Sequence, residues 1–316
     1  QNPGLFLGSL LAAAAEAGRD KVTILADPPM AAFGLWAEQL IAESSGKDGK
    51  GLIPIVDEPP ATDGTYGPDR LIVYLRRGGE LDGLAKDWVA HGTPVGVVEC
   101  GEGEAGLGAE FFRWELAVAV ACHFLGVNAF NQPDVQNAKD RAAAMVKAMR
   151  RGKELRVPPR LWKSGQAELS GSGKAPAGAE LAEIALWIRG HVGPREVLAV
   201  LVYSDPTPAL DKALRRARSE LRDHQGLTMV PSWGPRYLHS TGQLYKGGPD
   251  RFVCLLVSAE PGTDVEIPGW GIGFGQLQRA QAMGDLQALL AGGRRAFGLH
   301  FRSRGDLVGF VRALAA

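Results

Sequence analysis

Short β-rich runs alternate with helical stretches of ten or more residues through the first half of the chain. Strands are predicted at 21–26, 71–75, 95–98 and 125–128, and helices at 4–18, 31–41, 80–90, 108–124 and 133–150. Strands that are separated by helices of this length pair in parallel through right-handed crossovers. The first half is therefore predicted to be an α/β domain built on a doubly wound parallel sheet.

The second half has a different order of predicted strands and helices. Residues 151–179 contain Pro158-Pro159 and a run of Ser, Gly and Pro at 170–176, a composition typical of turns and linkers. Beyond this segment, strands at 197–203, 227–232, 252–258 and 295–301 and two helices follow the order β-α-β-β-α-β, which favours an α+β ferredoxin-like domain. The chain is thus predicted to comprise a domain at 1–150, a linker at 151–179 and a second domain at 180–316.

Charge and cysteine content exclude several classes of function. The 35 Lys and Arg residues balance 35 Asp and Glu residues, which argues against a polyanion-binding surface, so nucleic acid is not an expected partner. No apolar run approaches the ~20 residues of a membrane span, and a soluble, cytoplasmic protein is expected. Cys100, Cys122 and Cys254 are widely spaced, which indicates buried, reduced thiols and provides no zinc site. Neither a metal nor a cofactor is expected.

Two glycine-rich segments resemble nucleotide-binding motifs only superficially. Residues 46–50 lack the spacing of a P-loop and follow a helix rather than a strand. The run G-E-G-E-A-G at 101–106 matches G-x-G-x-x-G, but its two glutamates would repel a pyrophosphate and no acidic residue ends the next predicted strand. Nucleotide binding is therefore not favoured.

A candidate base follows the apolar helix at 31–41, where residues 43–51 read E-S-S-G-K-D-G-K-G. A carboxylate at a helix end, beside a loop that can cover a substrate, suits the transfer of a proton. A second interpretation stays open, because an exposed glutamate near a helix C-terminus is a common surface residue.

A candidate lysine ends the segment N-A-F-N-Q-P-D-V-Q-N-A-K at 128–139. Pro133 can start a helix that carries Lys139 on its second turn. Because a strand is predicted just before this segment, we expect it at the carboxyl edge of the sheet, where ligands bind in open α/β folds. The alternative is a solvated helix lysine.

A polar loop is predicted between two strands of the second half, with R-Y-L-H-S-T-G-Q-L at 236–244 and K-G-G-P at 246–249. Its basic side chains could bind an anion, or they could bind backbone carbonyls within a structural hairpin. The histidines outside this loop are scattered, and none is expected to join a Ser or Cys in a triad or to bind a metal.

Taken together and in this order, the segments at 43–51 and 128–139 resemble the second half of a phosphoglucose isomerase. In that family the glutamate of E-S-x-G-K is the catalytic base, and the lysine that closes N-P-F-D-Q-P-x-V-x-x-x-K lies in the same site. The resemblance implies catalytic roles for Glu43 and Lys139, with Lys139 assisting at the sugar ring oxygen. It also implies substrate-binding roles for Lys47 and Gln132.

This chain departs from the family segment at Ala129 and Asn131, and the second of these removes a carboxylate.

The resemblance extends over nearly the whole chain. Residues 108–116, 236–249 and 278–285 are similar to bifunctional transaldolase/phosphoglucose isomerases, in which an isomerase region follows a transaldolase barrel. On this resemblance, 1–150 is the second sugar-isomerase-type domain and 180–316 is a C-terminal extension. It implies a sugar phosphate as substrate and substrate-binding roles for Arg236, His239 and Lys246. A homo-oligomer is also expected.

The expected activity is that of a glucose-6-phosphate isomerase, which interconverts glucose 6-phosphate and fructose 6-phosphate through an enediol in glycolysis and gluconeogenesis. The sequence contains no S-x-S-x-x-T phosphate loop, and the family's ring-opening histidine has no counterpart near 64–66. An upstream sugar-isomerase domain and a transaldolase domain are therefore expected partners, and the chain is expected to be incomplete without the former. Two alternatives are a non-catalytic sugar-phosphate-binding module and an assembly module.

Overall fold

The computed structural model describes residues 2–62, 66–133, 147 and 158–316. The chain divides into two compact units. Unit 1 comprises Gln1–Pro133 and Ser240–Pro249, and unit 2 comprises Asp134–His239 and Asp250–Ala316. The short segment Ser240–Pro249 therefore belongs to unit 1, although it lies far along the second half of the sequence.

The helices and strands of the described residues have the following bounds. The helices are α1 (Pro3–Glu16), α2 (Phe33–Ser45), α3 (Asp82–Ala90), α4 (Gly103–Leu125), α5 (Leu181–Arg189), α6 (Pro208–Gln225), α7 (Gly242–Gly247), α8 (Phe274–Ala291) and α9 (Arg304–Ala315). The strands are β1 (Lys21–Ala26), β2 (Ile53–Val56), β3 (Arg70–Arg76), β4 (Val95–Glu99), β5 (Arg160–Lys163), β6 (Ala167–Gly171), β7 (Val197–Tyr203), β8 (Thr228–Trp233), β9 (Phe252–Ala259) and β10 (Arg295–Phe301). The helix predicted at 133–150 falls almost wholly outside the described residues.

The sheet of unit 1 has the strand order β2-β1-β3-β4 in the described residues, and all of its pairs are parallel. Alternate side chains of β3 face opposite ways. Leu71, Val73 and Leu75 join the core beneath α1, α2 and α4, whereas Ile72 and Tyr74 pack with Trp88 of α3. Helices thus cover both faces, as a buried parallel sheet requires. The predicted α/β class is confirmed.

Two local predictions in unit 1 were wrong. The first is an omission, since no strand was predicted where β2 lies, and the second is the strand predicted at 125–128, which is not a strand. Helix α4 continues to Leu125 and is closed by Gly126, whose φ of 69° is left-handed. The Val127 N–H then donates to the Cys122 carbonyl at 3.0 Å, a Schellman-type end. An apolar run of this length fits a helix end as well as a short strand, so periodicity alone could not separate them.

The sheet of unit 2 has the order β5-β6-β10-β9-β7-β8 in the described residues. Strands β10, β9, β7 and β8 are parallel, and only β5 and β6 are antiparallel to their neighbours. The ferredoxin-like arrangement was therefore wrong, because it would pair β8 with β9 as an antiparallel hairpin. Residues 234–251 form a long connection with helical turns, which lets β9 return on the far side of β7.

Part of the segment interpreted as a linker belongs to this sheet. Strands β5 and β6 lie within 151–179, and β6 pairs with β10 so that Leu169 is opposite Leu299. The polar composition of this segment is accommodated because β5 is an edge strand with largely exposed side chains.

The three cysteines are free thiols, two of them buried and Cys100 half-buried. Burial raises the pKa of the Cys122 thiol to about 11, so this side chain behaves as a small apolar group near neutral pH.

None of the helices in the described ranges combines the length and the apolar character needed to cross a bilayer.

A buried carboxyl group, that of Asp285 on α8, lies within unit 2. Tyr237 donates its hydroxyl hydrogen to Asp285 Oδ2, and Tyr203 donates to the Tyr237 oxygen at 3.2 Å. Burial raises the pKa of Asp285 to about 8, because the ionised form loses its water. Asp285 is therefore protonated near neutral pH, and it attaches the 3-10 turn Arg236–His239 to α8.

Replacing Asp285 by Asn should remove a pH dependence of stability. The folded chain keeps a proton on Asp285 between about pH 4 and pH 8 that the unfolded chain releases, so stability falls as pH rises through this window. Between pH 5 and pH 7.5 the wild type should lose about 3 kcal/mol relative to Asp285→Asn, since each pH unit contributes about 1.4 kcal/mol. Urea unfolding at the two pH values measures this difference. The exposed Asp250→Asn is the control, and parallel pH profiles for wild type and Asp285→Asn would contradict the assignment.

Candidate active site

The candidate base Glu43 lies in the last turn of α2, which extends beyond the predicted end of the helix to Ser45. Its side chain is half-buried, and Gln39 Nε2 lies 3.5 Å from Glu43 Oε2. The end of the helix is held by Ser45, whose hydroxyl donates to the Ile41 carbonyl at 2.7 Å and accepts from the Leu52 N–H at 3.0 Å. This side chain therefore links the helix that carries Glu43 to the residue preceding β2.

The loop after α2 closes in a tight turn. Lys47 and Lys50 exchange two backbone hydrogen bonds, of 3.1 and 2.8 Å. Between them, Asp48 and Gly49 both have left-handed backbones, with φ of 55° and 73°. This is the geometry of a type I′ turn, in which Asp-Gly is a favoured pair. The turn thus explains why the E-S-S-G-K-D-G-K-G segment has the dipeptide D-G at these two positions.

Lys47 is buried and joins the two segments that resemble the isomerase family. Its side chain is 1% exposed, and its ammonium donates to the carbonyls of Asn128, at 2.5 Å, and of Asn131. Lys50 Nζ donates to the Leu125 carbonyl at 2.9 Å. A buried ammonium needs such acceptors because it has lost its water. These bonds give Lys47 a structural role, and its contact with substrate stays a prediction.

Helix α7, from the distant segment Ser240–Pro249, packs on the same loop. Gln243 Nε2 donates to the Gly46 carbonyl at 2.9 Å, and the Gly49 N–H donates to the Gly247 carbonyl at 2.9 Å. A Cβ atom at Gly46 would lie 2.5 Å from Leu244 Cα, so only glycine permits this approach. Lys246, on α7, is half-buried and belongs to the same unit as Glu43.

These elements meet at the amino edge of the first sheet. Helix α2 leaves the carboxyl end of β1 and returns to the amino end of β2, and α4 likewise returns from the carboxyl end of β4. The carboxyl-edge placement expected for the 128–139 segment is therefore wrong for its described part, residues 128–133. The cause is that 125–128 ends a helix instead of forming a strand.

The remaining predicted residues are distributed as follows. Gln132 is exposed in the coil after α4, and Lys139 lies outside the described residues. Arg236 and His239 are exposed on a 3-10 turn of unit 2, whereas its Tyr237 and Leu238 are buried. The turn thus presents its two basic side chains outward. Substrate contacts for these residues stay predictions.

The glycines of the run 101–106 have a packing role. A Cβ atom at Gly106, in the first turn of α4, would lie 2.3 Å from the Gly101 carbonyl carbon. The close approach of these two backbones accounts for the glycine spacing without a nucleotide.

Asp27, which follows β1 at the carboxyl edge of the first sheet, was missed as a notable residue. Its carboxylate accepts hydrogen bonds from the Tyr74 hydroxyl and from the backbone N–H groups of Arg77, Gly79 and Leu81. Burial alone would raise the pKa of Asp27, but these bonds hold it below its ordinary value. Asp27 therefore occupies, with its own carboxylate, backbone N–H donors that an anionic ligand could otherwise bind at this edge of the sheet. Its partners are about fifty residues away, so the sequence carries no signal of them.

A Ser–His–Glu arrangement in unit 2 was also missed. Ser258 Oγ lies 2.9 Å from His300 Nδ1, and Glu260 Oε1 lies 2.9 Å from His300 Nε2. Ser258 and His300 are opposite each other on the parallel strands β9 and β10. Ser258 is only 3% exposed, so its hydroxyl is not accessible as a nucleophile. Burial lowers the pKa of His300. Ser258 and Glu260 therefore provide hydrogen-bond partners for a buried imidazole, and the three side chains do not form a hydrolytic triad.

In the described residues, no group of three or more His, Cys, Asp and Glu side chains is arranged to hold a metal ion.

Replacing Lys47 by Met should destabilise unit 1 by about 2–3 kcal/mol, because the Asn128 and Asn131 carbonyls lose their donor in a partly buried place. Lys50→Met, at the exposed lysine three residues later, should change stability by less than about 1 kcal/mol. Urea unfolding of the two variants measures the contrast. Equal effects of the two substitutions would contradict the structural role of Lys47.

Replacing Gly46 by Ala should destabilise the chain by about 1–3 kcal/mol, since the added methyl group has to displace the backbone of α7 or of α2. Gly83→Ala is the matched control, because a Cβ atom at that position would meet nothing within 4 Å. It should be neutral or stabilise by up to about 1 kcal/mol. Thermal and urea unfolding compare the two variants, and an unaffected Gly46→Ala would show that α7 does not pack closely on the loop.

Comparison with known proteins finds a similarity that covers only part of the chain. No protein-family model matches the chain. Over 85 residues the chain is 36% and 34% identical to the glucose-6-phosphate isomerases of two strains of Thermus thermophilus. Each match covers 23% of this chain and 20% of the relative. The chain thus spans about a fifth of the length of the curated relatives that it matches.

Three solved structures show a distant similarity to the chain. A hypothetical protein from Thermus thermophilus aligns at a TM-score of 0.36 and 16% identity, covering 99% of this chain and 83% of the other. A protein described as sugar-binding from Salmonella typhimurium aligns at 0.29 and 11%, covering 90% and 92%. The C-terminal domain of glucosamine-fructose-6-phosphate aminotransferase from Francisella tularensis aligns at 0.28 and 10%, covering 97% and 85%. These scores are too low to establish a shared fold, so the similarity that bears on function is the partial one to glucose-6-phosphate isomerases.

Proposed function

We propose that this chain is part of a glucose-6-phosphate isomerase that interconverts glucose 6-phosphate and fructose 6-phosphate, with Glu43 as the base. One observation carries the proposal. The two segments that resemble the isomerase site, 43–51 and 128–133, are far apart in sequence but are joined by the Lys47 side chain, which donates to the carbonyls of Asn128 and Asn131. The partial similarity to two glucose-6-phosphate isomerases points to the same reaction.

The chemistry requires a single base that carries a proton between C1 and C2 of the open-chain sugar through an enediol. A carboxylate on the last turn of a helix, with that end of the helix held by Ser45 and Gly46, keeps its position while the proton moves. In this proposal Lys139 assists at the ring oxygen during ring opening. No cofactor is required for this step.

Recognition of the sugar phosphate is assigned to Lys47, Gln132 and Lys246 in unit 1, and substrate-binding roles are proposed separately for Arg236 and His239 in unit 2. Guanidinium and ammonium groups match the charge of a phosphate dianion. An upstream sugar-isomerase domain, which would contribute a hydroxyl-rich phosphate loop, is the proposed partner, and a transaldolase domain is proposed to accompany it. The proposed site of action is the cytoplasm.

Replacing Glu43 by Gln should lower kcat for fructose 6-phosphate by about 10²–10⁴-fold, the usual contribution of a general base, while leaving KM nearly unchanged. A coupled assay on the intact protein measures turnover. Exchange of the substrate C2 proton with solvent deuterium reports the same step independently. Glu38→Gln, on the same helix and with the same loss of charge, is the matched control and should keep activity.

Retention of wild-type turnover and proton exchange by Glu43→Gln would remove Glu43 as the base. If the intact wild-type protein binds fructose 6-phosphate in calorimetry but neither turns it over nor exchanges its proton, the isomerase proposal fails. The non-catalytic binding module then takes its place.

A further inference from the structure

The edge of the first sheet at β4 has the features of a pairing surface. In the described residues β4 pairs with β3 alone, so the backbone groups along its other side make no bonds within that sheet, and of these groups the Glu99 carbonyl accepts from Arg113 Nη1 at 3.3 Å. Val97, at its centre, is 51% exposed. Natural proteins usually protect such an edge with charges, prolines or a covering loop, because it readily accepts another strand. The sequence V-G-V-V-E carries no proline and only one charge, at its end.

Apolar grooves lie on both sides of this edge. On the α3 side, a cavity of about 500 Å³ is lined by Ala85, Lys86, Val89, Val95, Val97 and Glu99, together with the Arg76–Asp82 ion pair and Tyr74. On the α1 side, a cavity of about 220 Å³ is lined by Pro3, Phe6, Leu10, Gly96, Val98 and Arg113, among others. Phe6 and Val89 are more than half exposed. An incoming strand would therefore cover apolar side chains as well as complete backbone hydrogen bonds.

We propose that β4 pairs antiparallel with β4 of a second copy of this chain, about a two-fold axis through Val97. Two sheets would then join into one continuous sheet across the dimer. An antiparallel pair of identical strands is the arrangement that a two-fold axis generates, because each residue i meets the same partner j from both sides. This register places Val97 opposite Val97 and Val95 opposite Glu99 of the second copy.

Charge complementarity favours a second copy over an unrelated strand. Helix α3 runs back toward the start of β4, and Lys86 lines the same cavity as Val95. Glu99 lies at the other end of the strand, where Arg76 Nη1 donates to it at 3.1 Å. In the proposed register, Glu99 of the second copy arrives opposite Val95 and thus beside Lys86. The two-fold axis repeats this pair, so two Lys86–Glu99 ion pairs flank a central contact between valines.

Cysteine cross-linking tests the register directly. In antiparallel strands, directly opposite Cα atoms lie about 4.5–5.5 Å apart, within the range of a disulfide. Val97→Cys should therefore form a covalent dimer under mild oxidation. Val95→Cys and Glu99→Cys should not cross-link when each is alone, because their own copies lie ~13 Å apart, but a mixture of the two should. Val265→Cys, on an exposed position of unit 2, is the control for random collision.

Sedimentation equilibrium tests the energetics. Val97→Lys should raise the dimer Kd by at least about tenfold, because it places two ammonium groups opposite each other. Lys86→Glu should raise it about tenfold by turning two attractions into repulsions, and adding Glu99→Lys should restore most of the affinity. Val265→Lys and Lys212→Glu are the matched controls, and circular dichroism checks that each variant is folded.

The proposal is overturned if the chain is monomeric at 100 µM (about the limit of a weak dimer). It is also overturned if a dimer persists unchanged in Val97→Lys, or if Val95→Cys cross-links alone as readily as Val97→Cys. The last result would indicate a parallel strand or another occupant of the edge. Because none of these variants alters the candidate base or lysine, their outcome is independent of the isomerase assay.

Discussion

Parallel strand pairing is the constraint on which the rest of the structure depends. Each parallel neighbour requires a long crossover, and the crossovers cover both faces of the sheet with helices. What remains accessible of the sheet in unit 1 is therefore its boundary. Three parts of this boundary carry distinct features. The loop at 46–51 lies at the amino edge, the Asp27 carboxylate accepts backbone N–H groups at the carboxyl edge, and β4 forms an open side.

The candidate base depends on contacts that come from three parts of the chain. Glu43 stands on the last turn of a helix whose following loop is held by the carbonyls of Asn128 and Asn131, through Lys47, and by Gln243 of α7. A catalytic carboxylate needs such support, because small displacements of a reacting group reduce rate strongly. The side chains that support the loop are themselves buried, so their loss acts first on stability and through it on the position of Glu43.

Much of unit 1 could be predicted from the sequence because its central strands are apolar, β-branched runs between helices. The run 125–128 could not be assigned, since an apolar tetrapeptide fits a helix end equally well. Strand β5 was missed because an edge strand tolerates polar residues, and β6 was missed because its sequence A-E-L-S-G contains a single large apolar residue. In unit 2 the order of elements was nearly right, but the pairing was not. The same order admits an antiparallel or a parallel sheet, and the choice depends on how the 234–251 connection crosses.

The sequence by itself determined the local features: the alternation of strands and helices, the Asp48-Gly49 turn, and the Glu43 carboxylate at the end of a helix. Only the tertiary structure decided which distant residues these features contact. It buried the Lys47 ammonium against carbonyls some eighty residues away and brought α7 onto the loop from nearly two hundred residues away. The physical reason is that hydrogen bonds and close packing between distant segments depend on strand register and on the path of crossovers. Composition and periodicity within a short window carry no information on either.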